Sequence, residues 1–116
     1  VKDYKDIYFS THFTAEQPVT EVSTTFLNEF KKAYPKKEVN AFAALGFDAY
    51  ILALDAIERA GSADSVAIRD TLAKTENFKG ATGVITLDAN RDATKTAIIK
   101  KVADGKFVFD SKVEPK

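Results

Sequence analysis

The chain has no cysteine, no methionine and no tryptophan, and it carries a single histidine, 5 glycines and 3 prolines in 116 residues. Without cysteine there is neither a disulfide nor thiol chemistry, a state compatible with cytoplasm or with an extracytoplasmic protein that needs no covalent staple. With His12 as the only histidine, zinc sites and Cys/His or Ser/His/Asp arrangements are all but excluded, and His12 reads as a structural or hinge residue. Charge of one sign is missing as well. The 17 basic residues cancel 17 acidic ones, which removes the electrostatic case for nucleic acid or an anionic membrane as partner. No apolar run approaches the roughly 18 residues of a membrane span, because Asp48 and Asp55 interrupt the longest candidate. The charged, apolar and small-residue succession of a secretion signal is lacking and the first residue is Val1, so the chain reads as a mature or excised piece.

What is present is globular in kind, with 45% apolar and 29% charged residues. The length suffices for one domain, which would bury about 65% of its unfolded surface. The most informative stretch is Asn40 to Gly61, NAFAALGFDAYILALDAIERAG. Asn40 is a good helix N-cap and Gly61 a left-handed stop, so the spacing predicts one long helix between them. Phe42, Leu45, Phe47, Tyr50, Ile51, Leu52, Leu54 and Ile57 point around most of its circumference, whereas a surface helix carries one apolar stripe. The helix is therefore expected to be covered by something besides its own small chain.

The other elements follow from local signals. Asp6–Thr11 reads as a strand, and Pro18 as a first-turn residue of an amphipathic helix running to Tyr34 and stopped by Pro35. Asp64 caps a third, shorter helix through Ala73, and Asn77–Gly83 is too rich in glycine and polar residues to prolong it. Gly83–Leu87 reads as a strand and Asp88–Asp92 as a polar turn. Thr96–Val113 reads as two strands joined by Asp104-Gly105, a dipeptide that favours the positive φ angles of a tight hairpin. The fold class is thus α/β, ordered strand, three helices, strand, C-terminal β-hairpin, with sheet edges that need each other or a sheet not encoded here.

Chemistry is sparse. Asp48, Asp55 and Glu58 could pair for acid/base work or a metal, but their helical spacing favours a solvated face or an ion pair with Arg59. Gly80-Ala81-Thr82-Gly83 lacks the GK[ST] ending of a phosphate loop and precedes a strand, so it reads as a turn. Lys31, Lys32, Lys36 and Lys37 gather at a helix C-terminus, where cations offset the helix dipole, and lack the aromatic interleaving of a nucleic-acid surface. Phe42 has two readings: core packing, or an apolar ligand wall projecting from the first helical turn, with Ala41, Ala43 and Ala44 leaving room beside it.

The run YFSTHF, then FLNEFKKAYPKKEVNAFAALGFDAYILALDAIERAGSADSVAIRDTLAKT, then GATGVITLDANRDATKTAIIKKVADGKFVF, resembles the C-terminal third of leucine/isoleucine/valine-binding proteins. These are the type I periplasmic binding proteins of branched-chain amino acid ABC transporters. The resemblance covers nearly the whole chain. It implies two α/β lobes that close over an amino acid, with residues 15–90 in the first lobe and 1–14 plus 91–116 in the second. It places the family's ligand-packing aromatic on Phe42, with Ala43 and Ala44 as neighbours that let the ligand approach. The family's carboxylate-holding serine and threonine, the acidic partner of the ammonium and the tyrosine of the second lobe have no counterpart here. Taking a zwitterion from water without them would cost several kcal/mol per charge, so the chain alone is expected to bind leucine poorly.

The resemblance implies an amino acid and an ABC transporter permease as partners, a periplasmic or cell-surface location, no cofactor and no catalysis. Its bare apolar surfaces also predict a homodimer or a swapped assembly of the chain. Two other functions keep their place: a ligand-sensing regulatory domain of the same fold, and an independent structural or interaction module.

Overall fold

A computed structural model describes residues 4–116. The order is β1 (Tyr8–Thr11), α1 (Glu21–Ala33), α2 (Ala41–Ala60), α3 (Ser65–Leu72), β2 (Phe78–Gly80), β3 (Gly83–Leu87), β4 (Ala93–Thr94), β5 (Ala97–Ala103) and β6 (Lys106–Val113). These strands make two separate antiparallel sheets, β1-β5-β6 and β2-β3-β4. The Cα radius of gyration is 16.2 Å, against about 13 Å for a compact chain of this length. Two bodies lie side by side.

The helical body is built around Phe13, Phe26, Ala44 and Ala81, with Val22, Leu27, Phe30, Val39 and Phe47 packed against them. Rings meet at centroid distances of 5.0 Å for Phe26 with Phe47 and 5.9 Å for Phe13 with Phe26. Phe13 enters this core from the segment that follows β1, so the first connection between the bodies is nailed down by an aromatic ring. The other body is the sheet of β1, β5 and β6, where Phe9 packs edge-on to Phe107 at 5.1 Å and Ile98 is fully enclosed. Asp104 and Gly105, with φ of 50° and 74°, close the β5–β6 hairpin as their sequence requires.

Helix ends obey local chemistry. The Asn40 side chain accepts from Ala43 N at 2.9 Å, the Asp64 side chain accepts from Ala67 N at 2.9 Å, and Gly61 takes φ 60° at the close of α2. Three details differ from the sequence expectation. Helix α1 starts at Glu21, later than Pro18 suggested, because the Thr20 hydroxyl accepts from Ser23 N and the Ser23 hydroxyl accepts from Thr20 N. The stretch after Asn77, read as loop, contributes strand β2, paired Phe78 to Ile85 and Gly80 to Gly83. Short β4, which the sequence does not announce, pairs with β3 and extends that second sheet.

Helix α2 is covered on one side only. Ala44, Asp48 and Ala56 are buried, while Phe42, Tyr50, Leu54 and Ile57 are exposed at 82%, 64%, 47% and 39%. Their spacing places them along one side of the helix, an apolar stripe that these residues do not cover.

Candidate ligand cleft and its supporting clamp

A cavity of about 810 Å³ separates the two bodies. One wall is Phe9 and Thr11 of β1, Lys100 of β5 and the hairpin tip Gly105–Phe107. The other is Glu38–Ala41 at the start of α2, and Phe13–Glu16 form the floor. Glu16 fastens that floor to the hairpin, accepting from Phe109 N at 2.5 Å and from Lys100 Nζ at 3.3 Å. Its walls are mixed: aromatic on the sheet side, with Glu38, Lys100 and Lys106 at the margins. Such lining suits a small ligand with an apolar body and charged ends.

Successive residues of a helix are turned about 100° from one another, and the three sequence-nominated residues accordingly separate. Phe42 stands almost free of contact at 82% exposure and does not line this cavity, although its neighbours Asn40 and Ala41 do. Ala43 is half-buried against the core, and Ala44 is fully enclosed within it. The smallness of Ala44 serves helix packing, since a residue with no accessible surface has none to offer a ligand. His12 is exposed on the segment directly after β1.

Asp48 corrects the sequence reading. A solvated position or a pairing with Arg59 was expected, but Arg59 pairs with Asp55 at 2.7 Å and Asp48 is only 3% exposed. Its carboxylate accepts from Ala81 N at 2.5 Å, Thr82 N at 2.8 Å and the Thr82 hydroxyl at 2.6 Å. The carbonyls of the same turn are taken from the other side: the Thr20 hydroxyl donates to Gly80 O at 2.7 Å and the Ser23 hydroxyl to Ala81 O at 2.6 Å. Two helices thereby grip one buried turn, and its polar groups find partners without water. Gly80 is required there, because a Cβ would lie 2.7 Å from Asp48 Oδ2. Lys95 Nζ donates to Thr82 Oγ1 at 2.7 Å. Burial lowers the Lys95 pKa, and the nearby Asp48 charge opposes that fall. Ala44, Leu45, Ile51 and Leu52 at every i±3 and i±4 position set Asp48 apart from Asp55 and Glu58 of the same helix and mark it as buried, without showing which donors it meets.

A profile of the periplasmic binding protein family matches residues 1–106. Comparison with curated proteins returned no match. Among solved structures, the chain is similar to the leucine-binding protein LivK of Thermotoga maritima, at 40% identity and a TM-score of 0.84, with 96% of this chain and 31% of that chain covered. It is similar also to LivJ of Streptococcus pneumoniae, a branched-chain amino acid transporter substrate-binding protein solved in complex with isoleucine. There the identity is 33% and the TM-score 0.81, over 96% of this chain and 31% of that one. The chain thus spans about 31% of the length of these two relatives.

Proposed function

Because the chain belongs to the periplasmic binding protein family, we propose that it forms the C-terminal third of a two-lobed solute-binding protein. That protein captures a branched-chain or related amino acid outside the cytoplasm and delivers it to an ABC transporter permease. Residues 15–90 belong to its first lobe and 1–14 with 91–116 to its second, as the resemblance implies, except that β4 carries the sheet of the first lobe on to Thr94. The first three residues of the chain lie outside the described structure. The division is supported by the two independent sheets.

The observation that carries the reading is Phe42. An unshielded phenyl ring at the first turn of a helix whose start is fixed by the Asn40 cap is a rigid apolar surface awaiting contact. It is the ligand's side-chain wall, supplied from outside the cavity by the residue that follows the cavity-lining Asn40 and Ala41, with Ala43 and Ala44 behind it seating the helix on the core. Thermal unfolding of the intact protein with and without leucine, isoleucine or valine tests this. A ligand at a hundred times its Kd stabilises by about 2.7 kcal/mol, so a clear rise in Tm is expected for at least one of the three and none for a sugar. No rise with any of them contradicts the reading.

The 116-residue chain by itself leaves the α2 stripe bare, and we propose that two copies associate through it. Light scattering at micromolar concentration should give a mass above the monomer's, and Tyr50→Lys with Leu54→Lys should restore the monomer. A monomeric mass for the unmodified chain contradicts the association. The same isolated chain should bind leucine weakly or not at all.

A further inference from the structure

Two consecutive residues of the second connection take their partners from different bodies. Lys95 and Thr96 stand between β4, in one sheet, and β5, in the other. Lys95 Nζ donates to Thr82 Oγ1, whose single proton is given to Asp48, so the ammonium is tied through a hydroxyl to the buried clamp of the helical body. The next side chain turns the other way. Thr96, 8% exposed, donates its hydroxyl proton to Glu114 Oε2 at 2.5 Å, just beyond the end of β6. That bond holds the Glu114 carboxyl below its ordinary range.

Neither bond belongs to a helix or a strand ladder. Thr82 Oγ1 would still donate to Asp48 without Lys95, so the lysine adds its charge opposite the Asp48 carboxylate and a tether to the clamp without supplying one of its donors. What the pair does is fix both ends of a two-residue joint, one end on each body. Hinges in domain closure are a few element-terminal residues that absorb large φ and ψ changes, and the side-chain anchors here limit those changes.

We infer that Lys95 and Thr96 are a pin that, together with the Glu16 tie to Phe109 N and Lys100, sets the angle between the two bodies, and through that angle the ligand affinity, without touching the ligand. The first half stands on the geometry alone, whereas the second rests on the proposed function. When only part of the population holds the binding-competent orientation, the apparent Kd rises in inverse proportion to that fraction. Loosening the joint therefore alters affinity from a distance.

The sequence has no cysteine of its own here, so spin labels at Glu58→Cys on α2 and Ser111→Cys on β6 report the angle in the intact protein. Without ligand, Lys95→Met and Thr96→Val are each expected to shift or broaden the inter-label distance distribution. Thr96→Ser, which keeps the hydroxyl, should retain the unmodified one. Leucine Kd should change by about five-fold or more in both disruptive variants. Circular dichroism confirms folding, and Lys95→Gln replaces Lys95→Met if the latter fails to fold. Distributions unchanged in the folded variants overturn the pin. A changed distribution with unchanged Kd overturns its effect on affinity. If the unmodified protein binds no aliphatic amino acid, the proposed function falls while the distances still decide the pin.

Discussion

Replacing Asp48 by alanine is expected to destabilise the protein by about 3–5 kcal/mol, read as a lowered urea midpoint. Ala81 and Thr82 are both fully buried, so their N–H groups cannot turn to water once the carboxylate is gone. Each orphaned donor costs about 1–3 kcal/mol. Lys95 simultaneously loses the negative charge that opposes its burial. Asp48→Asn should fall between, since it keeps the volume but points an amide N–H toward donors. Gly80→Ala attacks the same arrangement from the opposite side. Its Cβ would meet three atoms of the Asp48 carboxyl group at 2.7 to 2.8 Å, and the donors gripping that group prevent its retreat. Overpacking of this kind costs about 1–3 kcal/mol. The pair should be non-additive, because in the Asp48→Ala background the alanine at position 80 meets no carboxyl group. Strict additivity in a double-mutant cycle would contradict the clamp.

Replacing Phe42 by alanine should do the reverse, leaving stability nearly untouched while weakening amino-acid binding by about ten- to a hundred-fold. A ring 82% exposed contributes little to the fold. Covered by a ligand's aliphatic side chain, it removes apolar surface worth about 1.5–3 kcal/mol from water. Phe42→Leu should recover most of the affinity, since the contact is apolar and not aromatic-specific. Unfolding and calorimetric titration of the same variants separate the effects. Loss of stability without loss of affinity would return Phe42 to a packing role.

These two residues differ in what the sequence makes legible. The place of Phe42 in the first turn of α2 is legible because Asn40 announces the helix start, whereas the choice of a ligand role over core packing comes from the family resemblance alone and rests on the titration just described. The same locality made Gly61, Asp64 and the Asp104-Gly105 turn readable, since each acts within a few residues of itself. The role of Asp48 was not readable, because its donors lie more than 30 positions along the chain. A helical position of that spacing looks like any other acid until the turn arrives. Strand β2 escaped for a related reason. Phe78-Lys79-Gly80 has little β character alone and becomes a strand only by pairing with β3 across a turn held by two helices. The displaced start of α1 belongs here too, for the Thr20 hydroxyl both caps its helix and donates to distant Gly80. The breadth of the apolar surface of α2, by contrast, was visible from composition; the described residues cover Leu45, Phe47, Ile51 and Leu52 in part and leave Phe42, Tyr50, Leu54 and Ile57 exposed.

Calorimetric titration of the intact protein with leucine, isoleucine and valine tests the central claim most directly. Saturable one-to-one binding of at least one of them is predicted, with a negative heat-capacity change because apolar surface closes around the side chain. Absence of heat and of any saturable signal for all three, with the protein shown to be folded, would contradict it.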